Sequence, residues 1–218
     1  VVLRTQSFHR QAICIVNGKP LYLYTMNQKI ILLLAGLICL RAADAQVTFE
    51  KIDTTMKIGK TGFRLNCRNK EIAQNQLSIR PIGFESPANE NLNFPVRGRV
   101  SKAMVDDLNQ DGVADLILFI YSDSAAIHGT VLAFISEGNK SIVPAGLPDV
   151  ALDGKLSPGY KGHDQFSMLE GTLLQRFPIF KPGDTDAPTG GNRTVQYQLN
   201  KVDGGGYKFA VLRSFDTH

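Results

Sequence analysis

The sequence predicts an all-β protein: a single antiparallel β-sandwich of Greek-key type with about eight or nine strands. Three observations carry that prediction. Gly, Pro, Asn and Asp cut the chain beyond residue 45 into short runs rich in β-branched and aromatic residues, the spacing expected of strands separated by turns. Two of these runs alternate cleanly, with Val195, Tyr197 and Leu199 set against Thr194, Gln196 and Gln198, and Tyr207, Phe209 and Val211 set against Lys208 and Ala210; one face goes in and the other stays wet. No stretch sustains the period of an amphipathic helix, and no repeat of roughly 20 to 50 residues marks a propeller.

In chain order the candidate strands are VTFEKI (47–52), GFRLNCR (62–68), QLSIRPIGF (76–84), VRGRVSKAMV (96–105), ADLILFIYS (114–122), HGTVLAFIS (128–136), GHDQFSMLEGTLLQRFPIF (162–180), TVQYQLN (194–200) and GYKFAVLRS (206–214). Within the second, the alternation of FRLNCRN packs Cys67 as a small apolar side chain. Within the fifth, LILFI (116–120) is apolar at every position, which suits a central strand covered on both faces. A hint of a helical turn falls on NKEIAQNQ (69–76). The Pro and Gly of KPGDTDAPTGGNR (181–193) stop strand pairing on either side, so this stretch reads as a long inter-strand loop inside one domain.

The segment from Met26 to Ala45 reads as a secretory signal: Lys29, an apolar run from Ile30 to Leu40, and the small-residue pattern Ala43-Asp44-Ala45, with cleavage expected near Ala45. The run is too short for a settled transmembrane helix. Cys39 lies in GLIC, without the small residue expected just before a lipid-bearing cysteine, so a soluble product in the periplasm or outside the cell is expected. Residues 1–25 read as upstream translated sequence outside the fold, and residues 46–218 as one domain.

The first 45 residues carry five of the 24 Lys/Arg and one of the 20 Asp/Glu, leaving 19 of each beyond them. The basic surplus therefore belongs to the leader. A neutral domain supplies no argument for nucleic acid or an anionic membrane as partner. Its one cysteine, Cys67, has no internal disulfide partner, so packing must stabilise the fold. Unpaired sheet edges leave a homodimer open.

The stretch DDLNQDGVAD (106–115) places Asp107, Asn109, Asp111 and Asp115 at alternating positions around Gly112. Oxygen ligands so spaced, with a Gly for the sharp turn, are what Ca2+ requires. Leu118 stands where an EF-hand has its bidentate Glu. Crowded carboxylates repel unless a cation or backbone N–H groups compensate. The same residues also make a good polar turn between strands, and both readings stand at this point; no cofactor is required.

A catalytic set does not emerge. Beyond the leader the histidines are His128, His163 and His218, none at zinc-ligand spacing. His163 adjoins Asp164, but strand neighbours point to opposite faces, so a buried or capping histidine is expected there. No nucleophile elbow, phosphate loop or dinucleotide fingerprint occurs, and an enzyme is not expected.

From about residue 97 to 199, through VDDLNQDGVADLILFIYS, GTVLAFIS and GYKGHDQFSMLEGTLLQRFPIFKPGDTDAPTGGNRTVQYQL, the chain resembles the periplasmic inhibitors of invertebrate-type lysozyme. The resemblance implies a single antiparallel sandwich with no chemistry of its own. It also implies that an inter-strand loop of pattern Ser-Gly-x-Tyr enters the lysozyme cleft and engages the catalytic carboxylates. Here Ala125-Ala126-Ile127-His128 stands at that place; a slip of one brings in Ser124 but puts Ile127 at the aromatic position. The implied partner-binding loop is Ser122, Ser124, Ala125, Ala126, Ile127, His128 and Gly129. Two readings of the loop stand: His128 presents a ring N–H to a carboxylate, or the loop is inert and the protein binds something else or inhibits through neighbouring loops. The Asp-rich stretch alone suggests a further reading, a calcium-stabilised interaction module that does not inhibit lysozyme.

Overall fold

The computed structural model describes residues 14–16, 19–21, 49–122, 125 and 127–217. The chain divides into two units, Val1–Gln46 and Val47–His218. Within the first, β1 (Cys14–Val16) and β2 (Lys19–Leu21) pair antiparallel. The expected signal segment, 26–45, lies outside the described residues. No helix among the described residues is long and apolar enough to cross a membrane.

The second unit is all-β, with twelve strands in three four-stranded antiparallel sheets. The first sheet is β3 (Ile52–Ile58), β4 (Thr61–Cys67), β5 (Gln74–Ile82) and β6 (Leu92–Arg97). The second is β7 (Arg99–Asp106), β8 (Asp115–Tyr121), β9 (Gly129–Glu137) and β10 (Ser141–Gly146). The third is β11 (Gln165–Leu169), β12 (Thr172–Pro178), β13 (Asn192–Lys201) and β14 (Tyr207–Thr217). Each strand pairs with its neighbour in sequence, so the sheets are meanders and no Greek key forms. Three similar meanders follow one another although no sequence repeat marks them.

The β7–β10 sheet is the middle layer, and β8 shows why. All seven of its residues are buried. Successive strand side chains point to opposite faces, so Leu116, Leu118 and Ile120 enter a core with Phe63, Leu65, Leu77 and Ile79 of the first sheet. Ile117 and Phe119 enter a second core with Leu173, Phe177, Val195 and Tyr197 of the third. An apolar residue at every position is what a strand needs when both of its faces are covered.

The strand count and the single sandwich expected above differ from this architecture for local reasons. VRGRVSKAMV is broken at Gly98, whose φ is 104° and where a Cβ would stand 2.4 Å from the Tyr121 carbonyl oxygen; β6 ends before it and β7 begins after it. GHDQFSMLEGTLLQRFPIF folds back at Glu170 and Gly171, both with positive φ (48° and 72°), the signature of a two-residue hairpin turn. β10 is absent from the expected strands; it is an edge strand, where the missing N–H of Pro144 is tolerated. Of VTFEKI, residues 49–51 are not strand and pairing starts at Ile52, and Phe49 lies under the Arg99 guanidinium, 3.8 Å from ring centroid to Cζ; residues 47 and 48 lie outside the described residues. NKEIAQNQ holds no helical turn. Its Asn69 is buried with φ 56° and bonds the backbone of Val100 through both ends of its amide.

Cys67 is buried in the first core, where desolvation pushes its thiol pKa up. His163, expected buried or capping, is instead exposed in the loop before β11 with φ 63°, its ring stacked on Phe180. The residue beside it is the buried one.

Candidate functional site

The turn between β7 and β8 is tied by backbone N–H groups. Asp111 and Gly112 donate their N–H groups to Asp107 Oδ1 (3.0 Å) and Oδ2 (2.9 Å). Val113 and Gly138 donate theirs to Asp111 Oδ1 (2.9 Å) and Oδ2 (2.8 Å). Asn109 accepts the Asp111 N–H on Oδ1 (3.2 Å), and its Nδ2 donates to the Ser136 carbonyl (2.6 Å). Gln110 and Gly112 take positive φ (61° and 80°), which aims the N–H groups inward.

Asp115 is fully buried. Its Oδ1 accepts from the Ser136 N–H (2.7 Å) and hydroxyl (3.1 Å), and its Oδ2 accepts from the Leu108 N–H (2.8 Å). Burial pushes its carboxyl up to about 6, against the pull of the Ser136 and Leu108 N–H groups and with some help from the Asp111 charge. Like-charge crowding in this turn is thus answered by amides. The carboxylates are drawn onto separate donors, and among the described residues no group of three or more His, Cys, Asp or Glu is arranged to hold a metal. With backbone amides bonded to these carboxylates, the melting temperature is expected to stay within about 1 °C when excess chelator is added. A fall of several degrees, restored by calcium, would assign an ion to Asp107, Asn109, Asp111 and Asp115.

The β8–β9 connection, 122–128, with Gly129 at the start of β9, is the candidate partner-binding loop. Ser124 and Ala126 lie outside the described residues. Ser122, Ala125 and His128 are exposed and Ile127 is half-buried. The loop closes on itself where the Ser122 N–H donates to the His128 carbonyl at 3.3 Å. Its inner side is pinned by Asp164, which is 3 % exposed.

Three contacts run from Asp164 to the loop's base. The Asp164 N–H donates to the Ile127 carbonyl (3.1 Å), the Gly129 N–H donates to Asp164 Oδ2 (2.9 Å), and the Tyr121 hydroxyl donates to the Asp164 carbonyl (2.7 Å). Gly129 has to be glycine: a Cβ would stand 2.6 Å from the Phe166 ring and 3.2 Å from Asp164 Cβ.

Behind Asp164 a polar chain crosses the second core. The Tyr160 hydroxyl donates to Oδ2 (2.7 Å), Gln175 Nε2 donates to Oδ1 (2.8 Å), and the Tyr197 hydroxyl donates to Gln175 Oε1 (3.0 Å). Burial raises the Asp164 pKa despite the Gly129, Tyr160 and Gln175 donors and the charge of His128. Burial, then the bond to Asp164, raises that of Tyr160. Satisfied on every arm shown, this network rigidifies what it touches. The His128 ring stands edge-on to Tyr160, centroids 6.2 Å apart, at the rim of a cleft of about 450 Å³ floored by Gln175.

The expectation thus located the loop but not what holds it. Asp164 was visible beside His163 and carried no assigned role. Tyr160, Gln175 and Tyr197 stand in a loop and two strands, and no spacing in the sequence connects them. No family model matches the chain, and no curated protein matches it either.

Proposed function

We propose that this chain is an exported binding protein that presents residues 122–129 to the active-site cleft of a lysozyme, as the inhibitors it resembles do. The observation that carries this reading is the construction of the loop: its base is pinned to a buried carboxylate while Ala125 and His128 face solvent. A loop ordered before binding loses little entropy on entering a groove. His128, when protonated, offers N–H donors to a catalytic carboxylate, a charge-assisted bond worth about 1.5–3 kcal/mol. The β7–β10 and β11–β14 sheets, which together hold the loop and Asp164, stand for the family's two-sheet sandwich in this reading, with the β3–β6 sheet added to it.

The test is stoichiometric inhibition of purified lysozymes by residues 46–218. Inhibition of at least one type is expected, with the inhibition constant raised about tenfold or more by His128→Ala. Absence of inhibition across invertebrate, goose and chicken types would replace this reading with that of a β-sheet interaction module whose partner is another protein.

A further inference from the structure

The outward face of the β3–β6 sheet concentrates positive charge that neither the polar turn nor the partner loop uses. Arg64 of β4 and Arg80 of β5 are direct partners in the antiparallel register, and like charges so opposed are destabilising unless something answers them. Both point to solvent, because the flanking pairs Phe63–Pro81 and Leu65–Ile79 are buried. Asp53 answers the first: Arg64 and Lys51 both ion-pair with its carboxylate. Among the described residues Arg80 makes no hydrogen bond or ion pair.

In the adjoining row Gly62 stands between Lys57 and Ile82. The Lys57 stem lies across that glycine, its Cγ 2.7 Å from where a Cβ would be. Beside the two arginines is a hollow of about 620 Å³, bounded by Thr55 and, from the connection to β6, by Gly83, Phe84 and Asn89.

The geometry points to an anion site in this hollow, for the dianion of a phosphate group. The unpaired Arg80 fork matches two oxygens of such a group bidentately; Arg64 adds N–H groups beyond those it gives to Asp53 and Thr55, and the Thr55 hydroxyl and Asn89 amide add neutral donors. Arg80 carries the charge that no carboxylate answers, and Arg64 beside it stays paired with Asp53, so a phosphate group, with more acceptor oxygens than chloride or acetate, reaches both side chains at once. The group can belong to a soluble phosphorylated compound or to a lipid headgroup, since the recognising chemistry is the same. The site is independent of the lysozyme reading.

Pyrophosphate titrated calorimetrically into the protein at low salt is expected to bind saturably, without competition from equimolar acetate. Arg80→Gln is expected to weaken binding tenfold or more, while His128→Ala leaves it unchanged. Arg80 is exposed, so this variant keeps the fold, and relief of the Arg64 repulsion is expected to hold or raise its melting temperature. Capture by phosphatidic acid vesicles but not phosphatidylcholine vesicles, lost in Arg80→Gln, would assign a lipid source; pyrophosphate binding without vesicle capture would assign a soluble one. Either upholds the site. No saturable binding, or equal binding by Arg80→Gln, overturns it.

Discussion

Replacing Asp164 with alanine is expected to destabilise the folded protein by about 3 kcal/mol and, under the proposed lysozyme reading, to abolish inhibition even with His128 intact. The substitution strips the acceptor from the Tyr160 hydroxyl, Gln175 Nε2 and the Gly129 N–H at once. Each donor stranded away from water costs about 1–3 kcal/mol. The total stays near the lower end of their sum because the buried carboxylate is itself costly, as its raised pKa records. Asp164→Asn separates the two contributions: it keeps the volume and one good acceptor, removes the charge, and is expected to cost about 1 kcal/mol. Denaturant unfolding at constant slope reads both values. A loss under 1 kcal/mol for the alanine variant would mean that the network is not what pins the loop.

Stability is expected to fall as pH rises from about 4 to about 6, by about 3 kcal/mol from Asp115 alone. Asp115 is the main cause. Burial pushes its folded-state carboxyl up to about 6, from an ordinary value of 3.8. Between those values the folded protein keeps a proton that the unfolded chain has released. Fewer protons on the unfolded state make the slope of stability with pH negative. The cost is absent below about pH 4 and complete above about pH 6. Asp164, raised by burial as well, adds in the same direction.

Asp53 and Asp184 act with the opposite sign and in a lower window. The first is held down by the Lys51 hydrogen bond and the Arg64 charge, the second by the N–H groups of Thr189 and Lys181. Their contributions are present above the ordinary carboxylate pKa and are lost as pH falls further. Melting followed from pH 3.5 to 7 with chelator present keeps any cation from masking the effect. Asp115→Asn is expected to flatten the slope; a flat profile in the unsubstituted protein would sink the assignment.

The LILFI run of β8 shows how far local pattern reaches. Its unbroken apolar character called for cover on both sides, and the two cores that divide Leu116 and Leu118 from Ile117 and Phe119 supply it. The Glu170–Gly171 reversal and the Pro144 edge strand were harder. A Glu gives no strong turn signal, and a proline breaks a central strand but not an edge. At the polar turn the sequence set four oxygen-bearing side chains close together and left both amides and a cation open as the answer to their charge. The N–H groups of Ser136 and Gly138, which bond to Asp115 and Asp111, come from β9 and the turn after it, beyond the reach of local pattern.

By itself the sequence determined a β-rich chain, the places of most strands and turns, and the two polar connections flanking β8, because strand period and turn chemistry are properties of neighbouring residues. Only the tertiary structure decided that three meanders stack with β7–β10 in the middle, and that Asp164 grips Gly129 from 35 positions away. Which faces meet depends on how separate sheets bury their apolar sides together, and a buried carboxylate persists only where donors from distant strands converge on it. Neither condition is written in any short stretch of residues.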